Sequence, residues 1–442
     1  LGVVMGRARV RGGDAQGDVL SNIQNLVGSA VADSLTGDGN ANFLSGGAGI
    51  DTLSGGAGND TLAGGAGADS IDGGSGNNTA DYSASNAAVT VNLGTGTNTG
   101  GDAQGDVLTN IQNLVGSWFG DSLSGDANAN VLQGGAGDDT LVGGAGADTI
   151  DGGPGNNTAD YSASSSGVTV DLTVATGQTS GGDASGDVLA NIQNLIGSAS
   201  ADTLSGDGNA NLLVGGGGND SLSGSAGDDT LAGGAGADTL DGGTGNNTAD
   251  YSASSAGVTV NLTLGGAQTS SGDASGDVLT NIQNLTGSSF ADTLTGDGNP
   301  NLLSGGGGND SLSGGGGNDT LIGGAGADTL DGGTGVNTAD YSASSAAVTV
   351  NLGTGAGSGG DAQSDSLTNI QNVTGSTFDD SLTGDTNANL LQGGDGNDTL
   401  AGGGGVDTLD GGTGTNTADY SSSGSAVTVD LTLVGQQLSG GD

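Results

Sequence analysis

One aliphatic residue recurs at every ninth position along much of the chain, and small residues, most of them polar, flank it on both sides. In the first such stretch these residues are Leu35, Leu44, Leu53, Leu62 and Ile71. An apolar side chain between two outward ones is the pattern of a short strand with one buried face. Glycine fills the first, second and fourth places of most nonapeptides, where it permits positive φ and close approach of the backbone. Each nonapeptide, called a row below, is therefore predicted to form a turn and a strand, and two rows to close one coil.

The rows are grouped into longer repeats, each of which begins at an aspartate in GGD or SGD. These aspartates are Asp14, Asp102, Asp183, Asp273, Asp361 and Asp442, so five whole repeats are present. Repeats 1, 3 and 4 hold six rows, and repeats 2 and 5 hold five. The predicted order is a divergent partial linking strand and five repeats in one continuous solenoid: 1–13, 14–101, 102–182, 183–272, 273–360 and 361–441. A fixed period is typical of a stacked repeat architecture, and glycine costs about 1 kcal/mol per residue in a helix. The sequence therefore predicts an all-β solenoid.

A less regular linking segment, called a linker below, separates the rows of successive repeats. Val89, Val91 and Leu93 alternate with polar residues and predict a strand. The text DVLTNIQNLVG, which starts at Asp106, fits either a strand or a short amphipathic helix capped by Asp106. We favour a strand, because Leu114 stands nine residues before the first aliphatic ladder residue of repeat 2.

The few aromatic residues keep a fixed place in the repeats. One tyrosine follows the last row of each repeat, at Tyr82, Tyr161, Tyr251, Tyr341 and Tyr420. We expect each to cover the end of a leucine ladder with its hydroxyl hydrogen-bonded, rather than to form a sugar-binding platform. The first rows carry Trp118, Phe119, Phe290 and Phe378, which are predicted to point outward. They either cover a gap in the solenoid or form a lateral contact, and the sequence favours neither.

The charge of the chain is extreme and of one sign. Among its 442 residues the formal net charge is −47, every acid is an aspartate, and the only cationic side chains are Arg7, Arg9 and Arg11. Such acidity excludes a nucleic-acid-binding surface, which needs a basic footprint. High charge with few aromatics would ordinarily indicate disorder, but the strict period indicates a folded array.

Several function classes are disfavoured by what the chain lacks. Cysteine and histidine are absent, so neither disulfides nor thiolate or imidazole chemistry is available, and the serines have no plausible base beside them. We therefore do not expect an enzyme. No apolar run approaches the roughly 20 residues of a membrane span, so membrane insertion is not expected.

The aspartates need a counter-charge that the chain does not supply. Aspartates at one edge of coils stacked about 4.8 Å apart would repel by roughly 1 kcal/mol in water and about 3.5 kcal/mol at an effective dielectric constant of 20. One buried leucine contributes only about 1.5 to 3 kcal/mol. A divalent cation between coils would reverse the sign of the interaction, and a site of oxygen ligands alone favours calcium over zinc or iron.

The rows resemble the GGxGxDxUx nonapeptide of repeats-in-toxin (RTX) proteins, as in GGAGIDTLS, GGAGDDTLV, GGGGNDSLS and GGDGNDTLA. The resemblance implies a right-handed parallel β-roll in which the first six residues of a row form a calcium turn and the last three a strand. It also implies several calcium ions between successive coils, each joining one row to the next but one with the help of backbone carbonyls. The implied ligands are Asp51, Asp60, Asp69, Asp139, Asp148, Asp220, Asp229, Asp238, Asp310, Asp319, Asp328, Asp398 and Asp407.

Some rows depart from this pattern. First rows keep the aspartate but lack the second and fourth glycines, so they are predicted to be half sites: Asp33, Asp121, Asp202, Asp292 and Asp380. Second and last rows carry asparagine, as at Asn42 and Asn78, and are predicted to bind weakly or to lend only a carbonyl. Calcium is therefore expected in one cluster per repeat. The pairs Asp14 with Asp18 and Asp102 with Asp106, in GGDAQGD, could form a further site, but turn and cap roles are favoured.

Three non-enzymatic functions remain, and the resemblance implies for all of them a secreted protein at the bacterial cell surface or outside it. The favoured one is a calcium-stabilised structural array, as in a filament, matrix, surface layer or adhesin stalk. The second is a calcium-triggered module for type I secretion and folding of a larger toxin, enzyme or adhesin, and an ice-binding roll is a distant third. The chain starts within a linker and stops at Asp442, the first residue of a sixth repeat. We therefore expect self-association or continuation into further repeats, with possible cell-surface or matrix contacts.

Overall fold

The computed structural model describes residues 13–179 and 181–432, and these fold as short strands joined by tight turns. The described residues form two compact blocks: the N-terminal block comprises 13–207 and 211–216, and the C-terminal block comprises 208–210 and 217–432. Within these residues the only helical segments are 3₁₀ turns at the linkers: η1 Gly13–Ala15, η2 Gly101–Ala103, η3 Gly182–Ala184, η4 Gly272–Ala274 and η5 Gly360–Ala362. The N-terminal partial linking strand and Asp442 lie outside the described residues.

The strands of the N-terminal block are mostly three residues long. They are β1 Asn25–Val27, β2 Ser34–Thr36, β3 Phe43–Ala48, β4 Thr52–Ser54, β5 Thr61–Ala66, β6 Ser70–Asp72, β7 Thr79–Asp81, β8 Thr90–Asn92, β9 Asn98–Thr99, β10 Val107–Thr109, β11 Asn113–Val115, β12 Ser122–Ser124, β13 Val131–Gln133, β14 Thr140–Val142, β15 Thr149–Asp151, β16 Thr158–Asp160, β17 Thr169–Asp171, β18 Val188–Ala190, β19 Asn194–Ile196, β20 Thr203–Ser205 and β21 Leu212–Gly217.

The C-terminal block repeats the same plan. Its strands are β22 Ser221–Ser223, β23 Thr230–Ala235, β24 Thr239–Asp241, β25 Thr248–Asp250, β26 Thr259–Asn261, β27 Val278–Thr280, β28 Asn284–Thr286, β29 Thr293–Thr295, β30 Leu302–Ser304, β31 Ser311–Ser313, β32 Thr320–Ile322, β33 Thr329–Asp331, β34 Thr338–Asp340, β35 Thr349–Asn351, β36 Ala356–Ser358, β37 Ser366–Thr368, β38 Asn372–Thr374, β39 Ser381–Thr383, β40 Leu390–Gln392, β41 Thr399–Ala401, β42 Thr408–Asp410 and β43 Thr417–Ala418.

Within a repeat, a row pairs in parallel with the row two places further on, except that the last two rows pair with strands of the linker. Strand β2 lies beside β4 with Leu35 opposite Leu53, and β3 lies beside β5 with Leu44 opposite Leu62. Odd and even rows therefore build separate sheets, and the partners are 18 residues apart, as predicted from the nine-residue period. Within each block the fold is an all-β parallel β-roll.

The aliphatic ladder is the core of each roll. Leu44, Leu53, Leu62 and Ile71 are all fully buried, and the corresponding residues of the later repeats share this burial except Leu409, which is half-buried. The two residues flanking each ladder side chain stay partly or wholly exposed, as in the strand Thr52–Ser54. Because only the middle residue of each strand faces inward, one aliphatic residue per row is enough to fill the core.

The linkers also contribute strands, which settles the choice between strand and helix for DVLTNIQNLVG. Strand β10 pairs with β6, and β11 pairs with both β7 and β13, so the linker continues the sheets of the rows. Asn110 separates the two strands with a φ of 53°, and the left-handed conformation there breaks any helical run. The strand predicted at Val89 to Leu93 is β8, which forms an antiparallel pair with β9.

The aromatic residues take the predicted places. Tyr82, Tyr161, Tyr251 and Tyr341 are each 2% exposed, and each hydroxyl donates to a linker aspartate at 2.9 to 3.0 Å. Tyr420 differs, because 39% of it is exposed. Trp118, Phe119, Phe290 and Phe378 point outward as expected. Among the described residues no helix has the length and apolar character needed to cross a membrane.

Candidate metal sites

The turn of each row is shaped so that its aspartate comes back onto its first glycine. In the row 46–54, Gly47 and Gly49 have φ of 104° and 133°, a region that favours glycine. Gly46 needs no positive φ, but a β-carbon there would collide with Asp51 Oδ2 and with the carbonyl oxygen of Gly64. The first glycine is thus required for space. Its missing side chain leaves room beside two converging oxygens, Asp51 Oδ2 of the same turn and the Gly64 carbonyl oxygen of the next coil.

The sixth positions of the rows stack into columns, one at each edge of the roll. The Asp33 N–H donates to Asp51 Oδ1 at 2.7 Å, and the Asp51 N–H donates to Asp69 Oδ1 at 2.7 Å. At the other edge the Asn42 N–H donates to Asp60 Oδ1 at 2.8 Å. One oxygen of each ladder carboxylate is therefore fixed by the backbone of the preceding coil.

The second oxygen of the ladder carboxylates is buried without a hydrogen-bond donor. These residues are at most 2% exposed, and within the described part of the chain nothing donates to their Oδ2 atoms. They are Asp51, Asp60, Asp69, Asp139, Asp148, Asp238, Asp310, Asp319, Asp328 and Asp398. A buried charged oxygen that lacks a partner is strongly unfavourable, which indicates a missing positive group.

Aspartates at the same position in the first rows are satisfied by their own turns. The Ser29 N–H and hydroxyl both donate to Asp33 Oδ2. The same serine follows the first glycine in the other first rows, and it bonds Asp121, Asp202, Asp292 and Asp380. The serine that replaces the second glycine thus takes the place of a cation, which is a physical reason for the predicted half sites.

The asparagine rows and the linkers are satisfied as well. Asn42 Oδ1 accepts the Asp38 N–H at 2.7 Å, and its amide donates to the Gln24 carbonyl at 2.9 Å. In the linker, Asp106 Oδ1 accepts the Asp69 N–H at 2.8 Å and Asp106 Oδ2 accepts the Tyr82 hydroxyl at 3.0 Å. Among the column positions of the described residues, only rows with the full glycine frame leave a carboxylate oxygen without a hydrogen-bond donor.

The cap role predicted for Asp106 is therefore wrong, because the residue is the next member of a column and not a helix cap. Asp187, Asp277 and Asp365 hold the same position in the later linkers. Sequence reasoning missed this role. The signal was present, since GDAQGD spans six residues and ends in aspartate like the turn of a row.

Burial perturbs the acid–base behaviour of the ladder carboxylates. It raises the pKa of Asp139 to about 6, and the charges of Asp121 and Asp138 add to the effect. Burial also raises the pKa of Asp148 and of Asp310 to about 7 each. In a metal-free chain the charged form of these groups is disfavoured at the position where the fold puts it.

These sites fit a hard divalent cation. The converging donors are carboxylate and carbonyl oxygens, and the described chain contains no lysine, arginine or histidine to neutralise them. Nowhere in the described residues do three acidic side chains come together, so backbone carbonyls would have to complete the ligand set. Oxygen-only ligation of this kind is what calcium accepts.

The remaining predicted ligands lie in the same columns. Asp220 and Asp229 are buried, and their N–H groups donate to the sixth residues of the rows two places on, Asp238 and Asn247. Asp407 is half-buried and accepts the Asn389 N–H at 3.0 Å. The structure places all the predicted residues at column positions, while their binding of calcium stays a prediction.

A family model described as "RTX calcium-binding nonapeptide repeat (4 copies)" matches residues 22–53, 45–80, 124–159, 191–222, 214–249, 286–321, 304–339 and 383–418. These matches cover more than half of the chain and contain the full-frame rows. The chain belongs to the RTX calcium-binding nonapeptide repeat family. A search of curated proteins found no match. The RTX rows are thus the calcium-binding repeats of a family typical of secreted bacterial proteins, and this β-roll suggests a structural role for the chain.

Proposed function

We propose that this RTX chain is a secreted structural repeat protein, hardened by calcium, in an extracellular filament, matrix or bacterial surface array. The observation that carries the proposal is the set of buried Oδ2 atoms without donors, which recurs in all five repeats. Calcium supplies two positive charges at each occupied position. The ladder aspartate of one coil and the carbonyl of the first glycine in the next coil hold it, so that the cation joins neighbouring coils.

Calcium dependence would suit export. A chain with a formal charge of −47 repels itself, and unpaired buried carboxylates oppose folding, so low cytosolic calcium favours the unfolded state. Extracellular calcium modules bind at about 10⁻⁴ to 10⁻³ M, and binding to a site that only the folded chain forms adds directly to the free energy of folding. The chain would then fold after it leaves the cell.

Assembly is the property that separates the structural array from the export-module alternative. The purified chain would be dialysed into chelator, into millimolar calcium and into millimolar magnesium, and viewed by negative-stain electron microscopy with light scattering in parallel. The structural proposal predicts ordered multimers in calcium only. Folded monomers in calcium would contradict the structural role and support the export module, whereas a chain that stays folded in chelator would contradict both.

A further inference from the structure

The linker turn Gly101–Asp106 takes the place of a calcium turn at the end of the first repeat. Asp106 stands in the column above Asp69, because the Asp69 N–H donates to Asp106 Oδ1. Counting back from Asp106 along the turn, Asp102 occupies the place of the second glycine. The 3₁₀ helix η2, which contains Asp102, packs against β5, whose last residues belong to the turn that bears Asp69.

The linker turn changes the donors around the last ladder carboxylate. Asp69 is 1% exposed and its Oδ2 accepts no hydrogen bond from the described residues. At Gly46 the carbonyl of Gly64 approaches from the next coil, but the three atoms nearest to the same point on Gly64 all belong to Asp69. Any carbonyl of the linker turn therefore lies no closer than 3.1 Å to that point, compared with 2.6 Å for the Gly64 carbonyl at Gly46.

A second carboxylate belongs to the same linker turn. Asp102 lies in η2, which packs against β5, and Gly105 of this turn stands against the side chain of Ala68, the neighbour of Asp69. Asp102 is half-buried. The Asp102 N–H donates to Ser85 Oγ at 3.1 Å, but no described residue donates to the Asp102 carboxylate. An acid used only to shape a turn would be expected to bond a nearby backbone N–H, as Asp81 bonds that of Ser83.

The same arrangement recurs at the ends of repeats 2, 3 and 4. The last ladder aspartates Asp148, Asp238 and Asp328 are at most 1% exposed, and their Oδ2 atoms have no donor among the described residues. The N–H of each donates to the linker aspartate at the position of Asp106, and Asp183, Asp273 and Asp361 hold the position of Asp102 in those linkers. Asp106 itself is not the partner of Asp102, because both of its oxygens accept hydrogen bonds.

We propose that each linker turn closes the preceding column with a separate divalent-cation site built from two carboxylates. The pairs are Asp69 with Asp102, Asp148 with Asp183, Asp238 with Asp273, and Asp328 with Asp361. The linker aspartate supplies a second carboxylate where the carbonyls of the linker turn stay farther away than in the turn of Gly46. This inference rests on the proposed calcium dependence for the identity of the cation, and it adds a ligand outside the nonapeptide.

The test compares two sets of substitutions that remove the same number of charges, one set within the linkers and one set at the ends of the rows that precede them. The test set is Asp102→Asn, Asp183→Asn, Asp273→Asn and Asp361→Asn. The control set is Asp81→Asn, Asp160→Asn, Asp250→Asn and Asp340→Asn, whose carboxylates are half-buried and accept serine N–H groups. Bound calcium per chain would be counted by equilibrium dialysis and elemental analysis, with circular dichroism to verify the fold.

The test set should lose one bound calcium for each aspartate changed, and the control set none. An unchanged count in the test set, or an equal loss in the control set, overturns the linker site while leaving the ladder sites intact. A wild-type chain that binds no calcium contradicts the proposed function itself. If the full test set does not fold, the single variant Asp102→Asn should still lose one calcium.

Terbium luminescence gives a second readout from the same variants. The tyrosine of each linker is hydrogen-bonded to the column aspartate next to the proposed site, and the charges of Asp69 and Asp102 both act on Tyr82. In a Trp118→Phe background, Tb³⁺ at the linker sites should emit on tyrosine excitation. The emission should fall strongly in the test set and stay near wild type in the control set. Undiminished emission from the test set would contradict the proposal.

Discussion

At the scale of the residue, the aspartate that ends a six-residue turn occurs in three different environments. Asp33 is satisfied by the serine of its own turn, Asp106 by the hydroxyl of Tyr82, and Asp60 keeps a buried oxygen without a donor. The aspartate alone does not define a calcium ligand. What distinguishes the ladder rows is the glycine frame, which removes every side chain that could donate to Oδ2.

Replacing one ladder carboxylate by its amide should have opposite effects with and without calcium. In chelator, Asp139→Asn should raise the free energy of unfolding by about 1 to 3 kcal/mol, because it removes a buried unpaired charge. In millimolar calcium the same change should lower it, because a ligand is lost. Urea unfolding under both conditions measures the difference. Asp121→Asn is the matched control, since Asp121 is satisfied by Ser117; a sign change there too, or none at Asp139, would contradict this account.

The sequence predicted which aspartates form the columns, but not why the frame needs each glycine. Positive φ was expected at all three glycines of the turn, whereas Gly46 is required only for the space beside Asp51 Oδ2. A sequence pattern cannot distinguish these two reasons, because glycine meets both requirements. The role of Asp106 was missed for a related reason, since a hydroxyl 24 residues earlier satisfies it.

At the scale of the element, the nine-residue row is the structural unit of the fold. Most rows of a repeat pair with the row 18 residues on, and the last two pair with linker strands, so removing one whole row shifts each later row to the opposite sheet without changing the register of the ladder. Repeats 2 and 5 have five rows and already lack one. A deletion that leaves the chain one residue out of the nine-residue period would instead move each later ladder residue from the buried to the exposed face.

A nine-residue deletion should therefore be tolerated where an eight-residue deletion is not. Removal of 55–63 should leave the β signal in calcium near wild type and reduce bound calcium by one. Removal of 55–62 is the matched control, and it should lower the thermal midpoint sharply, because it disrupts the register of the ladder. Circular dichroism melts in millimolar calcium compare the two. Equal destabilisation by both deletions would show that the row is not the structural unit.

The choice between strand and helix for the linkers depended on one inference from spacing. The nine residues from Leu114 to Leu123 match the period of the rows, and the structure confirms a strand at β11. The antiparallel pair of β8 with β9 was not predicted, because the hydrogen bonds join the two strands across a turn without a strong sequence signature. Periodicity thus predicted the elements that stack like rows and missed those that do not.

At the scale of the whole molecule, the negative charge of the chain opposes folding unless a cation is present. The described chain has no cationic side chain, and the fold buries carboxylates in columns. Composition predicted this conflict, and the chain belongs to a family of calcium-binding nonapeptide repeats. The sequence could not predict which carboxylate oxygens are left without donors, because that depends on serine, tyrosine and backbone groups brought together by the coil.

The metal-free chain should be more stable in acid than at neutral pH. Burial raises the pKa of Asp139 to about 6 and those of Asp148 and Asp310 to about 7, above the ordinary aspartate value. Because the folded state binds these protons more tightly, their stabilising effect is complete below about pH 4 and is lost as the pH rises through 6 to 7. Urea midpoints in chelator at pH 5 and pH 8 would measure this.

Calcium should reverse that dependence, because protons compete with the cation for the same oxygens. Apparent calcium affinity should therefore fall as the pH drops from 7 to 5. The double variant Asp139→Asn and Asp148→Asn should weaken the pH dependence of the metal-free chain at equal ionic strength. A urea midpoint in chelator that rises between pH 5 and pH 8 would contradict the raised pKa values.

The central claim is that cations between successive coils complete the buried carboxylates of the ladder rows. The most direct measurement is an anomalous difference map from crystals grown in calcium. The account predicts strong peaks beside the Oδ2 atoms of the full-frame rows, such as Asp51, Asp60 and Asp139, and clearly weaker ones beside the half sites Asp33 and Asp121, which serine satisfies. A map with no peaks at the ladder turns, or with those carboxylates turned out into solvent, would contradict it.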